Sequence, residues 1–72
     1  MLYKDALLDE LRQVERDIVE GERQLAKQER LVASLKAQNG DPGKAQAVLD
    51  MMRENQRRRD QDRQRLLSML QP

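Results

Sequence analysis

Asn39-Gly40-Asp41-Pro42-Gly43 places two of the three glycines of this 72-residue chain, and one of its two prolines, within five positions. Each of these residues belongs to the end of one helix or the start of the next. Gly40 is suited to the left-handed residue that closes a helix, with Asn39 a less easy second choice. Asp41 has the side chain of an N-cap, and Pro42 fits the first helical position, where the missing N–H has no intrahelical partner to lose. A connection this short forces the flanking helices into antiparallel contact.

Upstream of the turn the apolar residues keep a helical period. Leu7, Leu11, Val14, Ile18, Gly21, Leu25, Gln28, Val32 and Leu35 alternate spacings of four and three, the pattern of a coiled-coil seam. No proline interrupts residues 2–38, which read as one helix of roughly 55 Å. Downstream, residues 42–70 read as the second helix, with two competing stripes. One is Ala45, Val48, Met52, Asn55, Arg59, Asp62, Leu66 and Met69; the other is Leu49, Met52, Gln56, Arg59, Arg63, Leu66 and Leu70. Both are apolar at their ends and polar in the middle. The expected fold is therefore all-α: one domain over residues 1–72, with helix 2–38, turn 39–43 and helix 42–70 forming a two-helix antiparallel coiled-coil hairpin.

Folding about residues 41 and 42 pairs positions whose numbers add to roughly 83. Val48 then meets Leu35, Leu66 lies near Ile18, Asn55 falls opposite Gln28, and Asp62 falls opposite Gly21. The polar positions of the two helices coincide, so Gln28, Asn55, Arg59 and Asp62 are expected to form a polar layer that fixes register. A small polar ligand at this waist is the less common use of such a layer. Gly21 costs about 1 kcal/mol against Ala inside a helix. Close helix approach is its expected use, ahead of a long side chain lying across it or a kink.

Composition narrows function. Charged residues make up 38% of the chain, Tyr3 is the only aromatic, and Cys and His are absent. Thiolate and imidazole zinc sites, cysteine nucleophiles and histidine bases are thereby excluded. The carboxylates form no convincing catalytic pair, and a two-helix rod offers no water-poor cleft to shift a pKa. The expectation is a non-enzymatic protein without cofactor or metal. A cysteine-free chain suits a reducing compartment, and no apolar run approaches a membrane span or a signal peptide. A cytoplasmic protein without membrane attachment is expected.

A lone hairpin buries one stripe per helix, which is little against the entropy of ordering so many residues. Leu8, Val19, Leu31, Leu49, Met51 and Leu67 lie off the first seams, widening stripes into faces. The same pairing leaves residues 1–10 beyond the end of the second helix. Leu2, Tyr3, Leu7, Leu8 and Leu11 are thus the expected interface, covered by a second copy in a homodimeric four-helix bundle, or by a heterologous protein partner. Arg57, Arg58 and Arg63, within a basic face from Arg53 to Arg65, suggest an alternative: a small nucleic-acid-associated regulator contacting phosphates. Against it stand Glu54, Asp60 and Asp62 within the run, a net charge of +1, and no aromatics for base stacking.

Gly21-Glu22-Arg23-x-Leu25-Ala26-x-Gln28, followed by Leu31-Val32-Ala33-x-Leu35, resembles a group of short bacterial helical-hairpin proteins of unassigned function. The likeness continues through Asp41, Ala45, Val48-Leu49 and Arg63-x-Arg65-Leu66-Leu67, and so covers roughly residues 15–70. It implies a hairpin module and no activity. Histidines common in that group's second helix are replaced here by Arg59 and Asp62, so no metal or pH role carries over.

Overall fold

A computed structural model describes residues 2–71. Helix α1 spans Tyr3–Ala37 and helix α2 spans Gly43–Leu70, and no strand occurs among the described residues. The helices pack side by side in a rod of 55 × 15 × 14 Å.

The turn closes α1 with a complete pair of capping hydrogen bonds. The Gly40 N–H donates to the Leu35 carbonyl (2.8 Å) and the Asn39 N–H to the Lys36 carbonyl (3.2 Å), the two bonds of a Schellman motif. The left-handed residue is Asn39, at φ 57°, and not Gly40. Gly40 is needed for approach instead. A Cβ there would lie 3.2 Å from the Leu35 carbonyl oxygen and 3.3 Å from Leu35 Cδ2. The N-cap of α2 is Pro42 and not Asp41, the Pro42 carbonyl accepting the Gln46 N–H at 2.7 Å; Asp41 stands one position earlier, its Oδ1 accepting the Gly43 N–H at 2.9 Å. Replacing Asn39 by Gly removes the side-chain strain of the left-handed conformation, partly offset by a looser unfolded chain. The expected result is a gain of about 0.5 kcal/mol, read from urea midpoints.

Every α1 seam position from Leu7 to Leu35 is buried or half-buried, as the heptad requires. On α2 the second stripe faces inward, extended toward the turn through Pro42 and Ala45. Leu49, Gln56 and Leu66 are buried and Met52, Arg59, Arg63 and Leu70 half-buried, whereas Val48, Asn55, Asp62 and Met69 are exposed. Gly21 meets Gln56, and Leu11 shares a cluster with Leu66. Both pairs add to 77, so α2 is displaced by six residues, about 9 Å, from the expected pairing near 83. The turn explains the displacement. After Asn39 the chain doubles back along the last turn of α1, so α2 starts beside Leu35 instead of level with the end of α1.

That displacement overturns the expected overhang. Leu7 and Leu11 are not an exposed interface; they are buried, at 6% and 8% exposure, against Leu66 at 1%. Val14, Leu67 and Leu70 pack around these three. Leu8 is half-buried, and Leu2 and Tyr3 remain exposed. Toward the turn end, Val32 and Leu49 are buried in neighbouring positions of the seam. The hairpin thus has two small apolar ends separated by a polar middle.

Candidate interaction face

The middle of the rod is organised by the missing side chain of Gly21. The Gln56 amide lies across that gap, and Nε2 donates to the Ile18 carbonyl at 2.7 Å. Arg59 Nη1 in turn donates to Gln56 Oε1 at 3.1 Å. A Cβ on Gly21 would overlap Gln56 Oε1 and come within 2.9 Å of Arg59 Nη1. Gln28 makes a separate bridge nearer the turn, donating to the Ala45 carbonyl at 2.9 Å. These bonds satisfy the buried amides, and among the described residues no buried side-chain polar atom lacks a partner.

The expected polar layer is therefore only half right. Gln28 and Arg59 point into the seam, but Asn55 and Asp62 lie on the surface, where Asp62 pairs with Arg65 at 3.9 Å. Gln56 takes the central place. The reason is reach: a glutamine spans the seam over a glycine, so the layer is built from residues on the second stripe.

The arginines of the basic face do not form a bare cationic strip. Arg53 pairs with Asp50, Arg57 and Arg58 with Glu54, Arg63 with Glu15, and Arg65 with Asp62, at 3.0 to 3.9 Å. Arg59 is held by Gln56. Most of these pairs are exposed and intrahelical, and each contributes little to stability. The Arg63–Glu15 contact is the one pair spanning the two helices among the described residues. No group of carboxylates in that region is arranged to hold a metal ion, and no described helix is long and apolar enough to cross a membrane.

The two open sides of the seam differ. On one side lie the flanking positions Leu8, Glu15, Glu22 and Glu29 of α1 with Gln46, Arg53, Asp60 and Leu67 of α2. Its groove near the turn is lined by Glu29, Lys36, Gln46 and Arg53 around Val32 and Leu49. Polar and charged groups cover this side, with Leu8 and Leu67 drawn partly into the core.

The opposite side carries Tyr3, Glu10, Asp17, Gln24 and Leu31 from α1 with Val48, Asn55, Asp62 and Met69 from α2. Met51 sits one position farther out on the same side. Five large apolar side chains gather here in the open: Tyr3 at 66% exposure, Leu31 at 47%, Val48 at 44%, Met51 at 62% and Met69 at 43%. Leu31, Val48 and Met51 cluster near the turn, and Tyr3 and Met69 at the far end. Between them, over Gly21, is a notch of about 230 Å³ lined by Asp17, Glu20, Gln24, Met52, Asn55 and Arg59. Leu2 and Val19, also exposed, lie off this face. Of the expected interface residues only Tyr3 belongs to it. Leu31, Val48, Met51 and Met69 could be found only once the inward stripe of α2 was known.

No family model matches the chain, and neither a curated protein nor a solved structure matches it.

Proposed function

We propose that this chain is a non-enzymatic, cytoplasmic helical module that acts by burying one face of its hairpin against a second copy of itself, making a four-helix assembly. The exposed apolar face carries this reading. Among the described residues the hairpin buries five apolar side chains, Leu7, Leu11, Val32, Leu49 and Leu66, and leaves five large ones open on one side. A core of that size is small against the entropy of ordering two long helices. A second layer of helices is the common way to complete such a face. Association then contributes to folding itself, as in obligate dimers. The resemblance to short bacterial hairpins agrees in architecture and adds no activity. Nothing favours the nucleic-acid reading further, since Glu54, Asp60 and Asp62 interrupt the arginines and leave no continuous cationic strip.

Solution mass by light scattering across a concentration range, with circular dichroism on the same samples, tests the proposal. A helical species of at least twice the 8.5 kDa chain mass is the expected result. A fully helical monomer at all concentrations sinks it. A weakly helical monomer sinks it too, and would move the search to a heterologous protein whose binding orders the hairpin.

A further inference from the structure

The exposed face has an axial pattern that distinguishes how a second copy can sit on it. With facing seam positions adding to 77, each α2 residue has a height on the α1 scale. Val48 and Met51 fall near positions 29 and 26, beside Leu31. Met69 falls near position 8, within reach of Tyr3. Tyr3 and Leu31 are four heptads apart, about 42 Å along the rod. The apolar groups therefore form two end patches with a charged middle.

That middle is unequal in charge: the α1 half is acidic, and on the α2 half two arginines outnumber one aspartate. On the α1 half lie Glu10 and Asp17, with Glu20 one position farther out. On the α2 half the outer positions are Arg58 and Arg65, at heights near 19 and 12. Asp62 and Asn55 lie between them and the seam. The acidic half includes the rim of the Gly21 notch, since Asp17 and Glu20 both line it. Arg58 stands at the height of the same notch, on the other helix.

Two copies meeting face to face can be related by a two-fold axis along the rod or across it. The apolar patches are covered either way. Along the rod, Leu31 meets the second copy's Val48 and Tyr3 its Met69. Across the rod, Tyr3 meets the second copy's Leu31, and Met69 its Val48. Charge separates the two. With the axis across the rod, α1 lies on α1 and α2 on α2, so Asp17 faces Asp17 and Arg58 faces Arg58 near the axis. With the axis along the rod, each α1 lies over the other copy's α2. Asp17 and Glu20 then face Arg58, and Glu10 faces Arg65; the one like-charge approach, Asp17 to the second copy's Asp62, is offset by the Arg65 that pairs with Asp62. Like charges held together at an interface are costly, and opposite charges select orientation.

Resting on the self-association proposed above, we infer that the hairpin dimerises through the Tyr3–Leu31–Val48–Met51–Met69 face with its two-fold axis along the rod, the second copy's Arg58 seated over the Gly21 notch between Asp17 and Glu20. The acidic α1 wall of the notch, Asp17 and Glu20, is the receptor for that guanidinium, across from Arg59 on the α2 wall, and the end patches supply the apolar area. Charge selects the orientation and burial supplies the affinity.

Because the chain contains no cysteine, a single Lys44→Cys substitution on the exposed first turn of α2 gives one spin-label site per copy. An axis along the rod puts the two labels at the same height, within about 30 Å across a bundle whose helices are 8–10 Å apart. An axis across the rod puts them at opposite ends, about 50 Å apart. A short pulsed-dipolar distance is expected. A dimer with the long distance overturns the inferred orientation while leaving self-association standing; no dipolar signal, with a monomer mass, overturns both. As a second readout, Arg58→Glu is expected to raise the dimer dissociation constant at least about tenfold. Adding Asp17→Arg and Glu20→Arg to the same chain is expected to restore it. An unchanged constant in the Arg58→Glu variant counts against the inference, because the swap is neutral in the crosswise arrangement and in a dimer built on any face that lacks Arg58.

Discussion

Leu66→Ala is expected to remove about 3 kcal/mol of stability and most of the helical signal with it. Leu66 is the least exposed of the buried core residues, at 1%, and it joins Leu7 and Leu11 with Val14, Leu67 and Leu70 around them. Among the described residues nothing else closes that end of the rod, since the next layers toward the middle are Val14 with Arg63 and Ile18 with Arg59. Removing the leucine therefore leaves a cavity between two helices held together locally by little more than this cluster. In a globular domain such a loss is a fraction of a larger total; here it is comparable to what a small single core supplies. Urea unfolding followed by circular dichroism measures it. Val19→Ala is the control: Val19 is 52% exposed and outside both the core and the proposed interface, so its expected change is within about 0.5 kcal/mol. Equal losses in the two variants would mean that the Leu66 cluster does not hold the end of the hairpin.

The architecture was legible because it rests on repeated signals. Nine α1 seam positions keep one alternation of spacing, and each is at least half-buried. The turn was legible in place but not residue by residue, since the left-handed residue is Asn39 instead of Gly40 and the N-cap of α2 is Pro42 instead of Asp41. The registry was not. Two α2 stripes were nearly equivalent in hydrophobicity because Arg59, Leu66 and Met52 belong to both, leaving Val48 against Leu49, Asn55 against Gln56, Asp62 against Arg63 and Met69 against Leu70 to decide. What decides is the path of the turn. Asn39 takes the left-handed position and frees Gly40 to press against the Leu35 carbonyl, which draws the start of α2 back along α1. A pairing rule centred on the turn assumes that the chain reverses level with the helix ends, and a Schellman motif does not do so. The misplaced overhang followed from that assumption. So did the polar layer, since moving α2 by six residues replaces Asp62 with Gln56 beside Gly21 and Asn55 with Leu49 beside Gln28.

Gly21→Ala is the sharper test, because its sign depends on what occupies the space over the glycine. In an ordinary helix interior the substitution stabilises by about 1 kcal/mol through backbone entropy. Here the new Cβ overlaps Gln56 Oε1 and crowds Arg59 Nη1 at 2.9 Å. Both are ends of flexible side chains, so they yield before the helices part. As they leave, the bond from Gln56 to the Ile18 carbonyl and the bond from Arg59 to Gln56 are lost. Two hydrogen bonds of about 1 kcal/mol each outweigh the propensity gain, and a net loss of about 1 kcal/mol is expected. In a Gln56→Ala background the collision is absent, and Gly21→Ala should stabilise by the full helix-propensity difference. The coupling read from the four proteins is thus about 2 kcal/mol, well above what independent sites show. If Gly21→Ala stabilises both backgrounds equally, Gln56 does not span the gap, and the registry that places them together is wrong. If the sign reverses as expected, the glycine is explained by the glutamine across from it. The unfavourable propensity of one residue is then what lets two amphipathic helices choose one register among several that their apolar stripes would allow.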